Sequence, residues 1–105
     1  MKAIRQGDVI LVPCEKPTGD AVEHKELTLA LGEATGHHHT VYPEQKTGVV
    51  REWKNKDGRF IEVDSRFWLR HQEHAPVRID PGQYYRIGEE SEYDPFAKEM
   101  KKVID

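Results

Sequence analysis

The sequence VVREWKNKDGRFIEV, residues 49–63, carries a good β-hairpin signal. Two runs rich in β-branched and aromatic residues, 49–53 and 59–63, flank the turn-forming residues 55–58. The Asp-Gly pair that ends this turn tolerates the positive φ that tight turns need. The segment therefore predicts two antiparallel strands joined by a short turn.

Short apolar or alternating runs, separated by turn residues, recur along the rest of the chain. The run 9–13 is continuously apolar, which predicts a strand buried on both faces. The run 27–31 alternates leucines with Thr28 and Ala30, as a half-buried strand does. Similar runs lie at 37–42, 67–69, 77–79 and 83–87. Many short strands with frequent turns predict an all-β fold, either a small barrel or a sandwich.

The C-terminal segment has a different period and predicts a helix. Asp94 is a suitable N-cap, and Pro95 suits the first helical position. Phe96, Met100 and Val103 then fall on one helical face. We expect a short helix from about Pro95 to Val103, packed on the sheet.

Length and composition favour one small globular domain spanning residues 1–105. The net charge is −3 with acids and bases mixed, so nucleic-acid binding has little electrostatic support. No apolar run has the length of a signal core or a membrane span, and the single cysteine excludes an internal disulfide, so we expect a cytoplasmic protein. A core this small favours support from a metal or from a second copy of the chain.

Two clusters contain five of the six histidines. The first is GEATGHHHTV at 32–41, and the second is HQEHAP at 71–76. On a strand, His37 and His39 share one face and His38 takes the other. His71 and His74 converge only on a helical turn or in a bent loop, and the proline at 76 favours the loop. The clusters therefore predict one shared polyhistidine site.

The donor set of that site suits a divalent transition metal such as zinc, iron, manganese or nickel. The predicted ligands are His37, His39, His71 and His74. Glu33 and Glu73 lie beside them and are candidate catalytic carboxylates that move protons. An open coordination position would activate water or bind a small-molecule ligand, which predicts a metal-dependent enzyme.

Other interpretations of the histidines remain open. A single histidine is more often a surface or hydrogen-bonded residue than a ligand, and we expect that of His38 and His24. The clusters also suit metal-free acid–base chemistry or a buried polar network. A non-catalytic accessory or binding module with a structural ion is a further alternative. Three protein ligands plus water would favour catalysis, whereas four protein ligands would favour a structural site.

Two resemblances extend this interpretation. The spacing His37-x-His39-x4-Glu44 resembles the first half of the first cupin motif, which implies a small β-barrel whose two histidines and glutamate bind a metal. The whole pattern also resembles a family of small, uncharacterised bacterial and phage-type proteins. Its matching pieces are RQGD at 5–8, GE at 32–33, TGHxH at 35–39, HxEHxP at 71–76, GxY at 82–84 and EYxP at 92–95. This second resemblance implies no activity, but it favours His37 and His39 as site residues, with His38 as the spacer.

Overall fold

The computed structural model describes residues 2–31 and 38–89, and these residues form strands connected by turns and loops. The strands are β1 (Ile4–Gln6), β2 (Val9–Cys14), β3 (Val22–His24), β4 (Leu27–Leu31), β5 (His38–Pro43), β6 (Val50–Asn55), β7 (Gly58–Val63), β8 (Phe67–Arg70), β9 (Val77–Ile79) and β10 (Tyr84–Glu89). The described residues include no helix. They therefore contain no helix that is long and apolar enough to cross a membrane. The predicted C-terminal helix lies outside the described residues.

The strands form two antiparallel sheets. The six-stranded sheet has the order β1-β2-β10-β7-β6-β3, and the four-stranded sheet has the order β4-β5-β8-β9. One hydrophobic core takes side chains from both sheets, including Leu11 and Ile61 from the first and Val41, Phe67 and Leu69 from the second. The all-β prediction is confirmed. Within residues 2–31 and 38–89 the sheets remain separate, so the arrangement is a sandwich and barrel closure is absent.

The predicted central hairpin is confirmed as β6 and β7. Asn55 pairs with Gly58 across a two-residue loop of Lys56 and Asp57. The Asp57 N–H donates to Asn55 Oδ1 at 2.7 Å, which closes the turn locally. Gly58 supplies the positive φ, at 133°. In the apolar run 9–13, the first three residues are buried, as the lack of alternation predicts, whereas Val12 and Pro13 are half-buried.

Two short strands were not predicted from the sequence. Arg5 and Gln6 belong to β1, and the turn that follows consists of Gly7 and Asp8. Gly7 has φ 57°, and glycine at the first position of a two-residue loop is the pattern of a type II′ turn. The edge strand β3 pairs with β6. Both strands have three residues with a single apolar one, Ile4 or Val22, so neither shows an apolar pattern.

A polar contact joins the two sheets at a β-bulge. The register of β4 against β5 shifts between Thr28 and Ala30, which removes carbonyls from the regular ladder. Arg59 of β7 donates to the Leu29 carbonyl at 2.8 Å and to the Thr28 carbonyl at 2.9 Å. Its Nε also donates to the buried carboxylate of Glu52. Arg59 therefore satisfies groups of both sheets at once.

The pKa of Glu52 lies below its ordinary value. Burial acts to raise this pKa, but the hydrogen bond and the charge of Arg59 outweigh burial, with a smaller contribution from His24. A carboxyl whose pKa is lowered by folding stabilises the protein above its unfolded pKa, near 4.5. That contribution is lost as the pH falls below this value.

Replacing Arg59 with methionine should lower the free energy of unfolding by about 2–3 kcal/mol, because Glu52 keeps a buried charge without its partner and two carbonyls lose their donor. This is less than for a fully buried pair, since the Arg59 side chain is 29% exposed. Urea denaturation at pH 7 measures the change. The matched control Arg78→Met removes an exposed partner of Asp80 and should cost under about 1 kcal/mol. Equal losses in the two variants would contradict the role given to Arg59.

Candidate functional site

The end of β1, the start of β5 and the loop between β8 and β9 meet at one cluster of polar side chains. We call this cluster the His39 site. Its members are Gln6, Asp8, His39, His71 and His74. Gln6 ends β1, Asp8 follows the Gly7 turn, His39 is the second residue of β5, and the other two lie in the β8–β9 loop. The fold therefore brings both histidine clusters to the first hairpin of the chain.

Strand alternation directs His39 inward. In β5, His39 and Val41 face the interior and are 4% and 0% exposed, whereas His38 and Tyr42 are exposed. The pairing of β5 with β4 and β8 holds this orientation from both sides. His38 and His39 therefore point to opposite faces of the four-stranded sheet.

Gln6 determines the protonation of the His39 ring. Its side chain is buried, and its amide nitrogen donates to the Leu69 carbonyl at 2.8 Å and to the Ala75 carbonyl at 2.9 Å. Because both N–H groups are used, the amide oxygen must face His39 Nδ1, at 3.0 Å. The Gln6 amide oxygen can only accept a hydrogen bond, so His39 Nδ1 must donate and therefore carries the proton. The neutral ring then has its lone pair on Nε2.

Asp8 faces that second nitrogen. Its Oδ1 lies 3.1 Å from His39 Nε2, and its side chain is 69% exposed while that of His39 is 5% exposed. The turn at Gly7 brings the carboxylate to this position. Asp8 is not among the ligands predicted from the sequence. The signal that points to it is the RQGD motif, which belongs to the same family-like pattern as the histidines.

The surroundings of His39 lower the pKa of its ring below the ordinary value of 6.5. Burial is the largest cause, and the neighbouring His71 and His74 add to it by disfavouring another positive charge. The charge and the hydrogen bond of Asp8 oppose these effects without cancelling them. At neutral pH His39 is therefore mainly an uncharged imidazole.

His74 lies directly over the Gly7 backbone. A Cβ at position 7 would come within 2.6 Å of His74 Nε2 and 3.3 Å of His39 Cε1. The ring centroids of His39 and His74 are 6.1 Å apart, with the ring planes 15° from parallel. Glycine at position 7 allows both imidazoles to lie as they do, and a Cβ there would displace the His74 ring.

His71 completes the cluster as a hydrogen-bonded ring. Its centroid lies 4.4 Å from that of His39 and 4.6 Å from that of His74. The backbone N–H of Glu73 donates to His71 Nδ1 at 3.0 Å. This bond occupies the Nδ1 lone pair and places the proton of the neutral ring on Nε2. In this arrangement His71 is a donor towards its surroundings, and Glu73, whose side chain is exposed, orients it through the backbone.

The structure brings together three of the four predicted metal ligands, His39, His71 and His74. The fourth, His37, and the candidate carboxylate Glu33 lie outside the described residues. Across residues 2–31 and 38–89, no group of three or more His, Cys, Asp or Glu side chains has the spacing that one metal ion requires. The side chains as placed therefore offer a pair of donors, Asp8 Oδ1 and His39 Nε2, rather than a complete coordination sphere.

Glu44, the third residue of the cupin-like spacing, is remote from this site. It follows the far end of β5, five residues beyond His39, which is about 16 Å along an extended strand. Its carboxylate accepts from Trp68 Nε1 at 3.2 Å and lies 3.8 Å from the Arg66 guanidinium. The carboxylate near His39 comes instead from Asp8.

Comparison with known proteins identifies the family. Neither a curated protein nor a solved structure gives a significant match to the chain. A family model described as a domain of unknown function (DUF8820) matches residues 5–89. The match extends from Arg5, next to Gln6, to the end of β10, and it includes every member of the His39 site. The chain thus belongs to the DUF8820 family.

Proposed function

We propose that the His39 site binds a divalent transition metal ion such as zinc, iron, manganese or nickel. Asp8 and His39 are the first two ligands in this proposal. His74 supplies a third, with His37 as a further predicted ligand, and Gln6 orients the His39 ring. The proposal keeps the predicted type of site and changes its composition, because it adds Asp8 and gives His71 a supporting role.

One observation carries the proposal. His39 Nε2 and Asp8 Oδ1 are 3.1 Å apart, and both present lone pairs when the ring is neutral. Two such atoms repel each other unless a proton or a cation lies between them. Since the pKa of His39 is lowered, the proton is disfavoured at neutral pH. Two donors bound to one tetrahedral ion at about 2.0–2.2 Å are about 3.3–3.6 Å apart, a few tenths of an ångström more than the observed separation.

The contacts of Gln6 support the same assignment. Histidines that bind metals usually donate their other ring N–H to a carbonyl or a carboxylate, which fixes the tautomer and the ring orientation. Gln6 Oε1 accepts from His39 Nδ1 in this manner, and the two backbone carbonyls hold the amide in place. Nε2 is thereby the nitrogen available for a ligand.

The third ligand requires a small side-chain movement. His74 is exposed, so its imidazole can rotate about χ1 and χ2 without repacking the core. With three protein ligands, a fourth position stays open for water or a small-molecule ligand. In that form the protein is a metal-dependent enzyme, in which Glu73 or Glu33 moves protons as predicted from the sequence. If His37 or a second copy of the chain fills the fourth position, the ion is structural.

A second candidate function is favoured by the same pair of contacts. Both nitrogens of His39 face acceptors, Gln6 Oε1 and Asp8 Oδ1, and an imidazolium would donate to both. The site would then be a metal-free acid–base pair or a polar network. Nitrogen NMR of the His39 ring at pH 7.5 separates the two. Protonation of both nitrogens favours the acid–base pair, whereas protonation of Nδ1 alone favours the metal site.

The metal proposal predicts that untagged protein binds Zn²⁺ in calorimetric titrations at pH 7.5. Asp8→Asn and His39→Gln should each weaken binding at least about tenfold, because each removes a ligand atom while keeping the shape of the side chain. His38→Ala should keep the wild-type affinity, since that side chain points to the opposite face. Binding should weaken as the pH falls, because protons compete with the metal for the imidazole nitrogens, and the lowered pKa of His39 places its share of that loss below 6.5. If neither the wild type nor the variants bind any divalent ion, the acid–base candidate replaces this one.

The packing of His74 on Gly7 predicts a distinct effect of adding one methyl group. Gly7→Ala should weaken Zn²⁺ binding about tenfold or more, because the new Cβ would lie 2.6 Å from His74 Nε2 and displace the ring from the site. It should also lower the free energy of unfolding by about 1–2 kcal/mol, since alanine is strained at φ 57°.

Gly19→Ala is the matched control. Gly19 also has a positive φ, at 96°, but a Cβ there would meet nothing within 4 Å. This variant should therefore lose comparable stability and keep its Zn²⁺ affinity. A parallel loss of affinity in both variants would show that the effect comes from backbone strain and not from His74.

A further inference from the structure

In addition to the His39 site, the structure has a cavity on the outer face of the four-stranded sheet, next to that site. Its volume is about 270 Å³. The lining residues are His38, Thr40, Tyr42, Arg70, His71 and Gln72. His71 belongs to both the cavity and the His39 site, so the two features adjoin at the start of β5.

Strand alternation and register create this cavity. His38, Thr40 and Tyr42 project from β5 on the face opposite His39. The register of β5 against β8 places Arg70 beside Thr40. The Arg70 guanidinium lies over the Tyr42 ring, 5.7 Å from its centroid. The tyrosine therefore holds the cation at the wall of the cavity.

Arg70 differs from the paired arginines of the protein. Four arginines form ion pairs with carboxylates: Arg51, Arg59, Arg66 and Arg78. Among residues 2–31 and 38–89, Arg70 has no carboxylate partner, and no acidic residue lines the cavity. A guanidinium in these surroundings is suited to an anion supplied from outside.

Gln72 and His71, which also line the cavity, each carry an N–H donor. Gln72 Oε1 accepts from the His38 backbone N–H at 2.9 Å, so its amide NH₂ remains to donate. His71 carries its ring proton on Nε2, because its Nδ1 accepts from Glu73. Thr40 Oγ1 lies 3.3 Å from Thr28 Oγ1 and is already hydrogen-bonded. A guanidinium with neighbouring N–H donors is the arrangement that recognises an oxyanion.

We infer that this cavity binds a small oxyanion, a carboxylate or a phosphate, through Arg70 and Gln72. The next step rests on the proposed function. In that case, the oxyanion is the charged group of the small molecule that is presented to the metal. His71 connects the two parts, since its ring lines the cavity and lies 4.4 Å from that of His39. The substrate class is therefore a small carboxylate or phosphate compound.

Titration of the full-length protein with inorganic phosphate and, separately, with acetate tests the inference. Backbone NMR at low ionic strength should show saturable shifts at His38, Arg70 and Gln72. Arg70→Gln should weaken this binding about tenfold or more, because it removes the charge and the paired donors. Arg78→Gln, which changes an exposed arginine of the same sheet, should leave it unchanged. Preference for one of the two anions identifies the group that is recognised.

The outcomes separate this inference from the metal proposal. Absence of saturable shifts, or equal binding by wild type and Arg70→Gln, overturns the oxyanion cavity. Asp8→Asn should weaken Zn²⁺ binding at least about tenfold and keep phosphate or acetate binding, because Asp8 does not line the cavity. If anion binding depends on Arg70 but neither the wild type nor any variant binds a metal, the oxyanion inference holds and the metal proposal fails.

Discussion

The side-chain amide of Gln6 is the contact on which the candidate site depends. It is 3% exposed and makes three hydrogen bonds, to the carbonyls of Leu69 and Ala75 and to His39 Nδ1. These bonds tie the end of β1 to β8, to the β8–β9 loop and to β5. A buried amide without hydrogen-bond partners costs about 1–3 kcal/mol of folding free energy. The three hydrogen bonds of Gln6 therefore form together, and without them the site does not form. The position of the loop histidines and the tautomer of His39 both follow from this one side chain.

The two sheets are joined by polar contacts at two separate places. Arg59 joins the hydrophobic core to the β4 bulge, while Gln6 joins β1 to the histidine loop. Arg59 is paired with the Glu52 carboxylate and has a structural role. The His39 site instead presents an imidazole lone pair to an exposed carboxylate. Buried structural polar groups are usually fully satisfied, so an arrangement that still needs a proton or a cation indicates binding or chemistry.

Much of the fold could be predicted from local pattern. The hairpin of β6 and β7 follows from its turn residues, and the half-buried strand β4 follows from its alternating leucines. The strands β1 and β3 could not be predicted, because each has three residues of which only one, Ile4 or Val22, is apolar, so neither shows an apolar pattern. The choice between barrel and sandwich was also beyond the sequence, since it depends on whether edge strands meet.

The sequence by itself determined that His38 and His39 face opposite ways, because side chains alternate along any strand. It also indicated that the two histidine clusters share a site, and the structure places His39, His71 and His74 together. Only the tertiary structure brought Gln6 and Asp8 to His39, across more than thirty residues of chain. It also placed Arg70 at a cavity whose described lining includes no acidic residue. The physical reason is that alternation is a property of one strand, whereas hydrogen-bond partners and unpaired charges depend on which strands become neighbours.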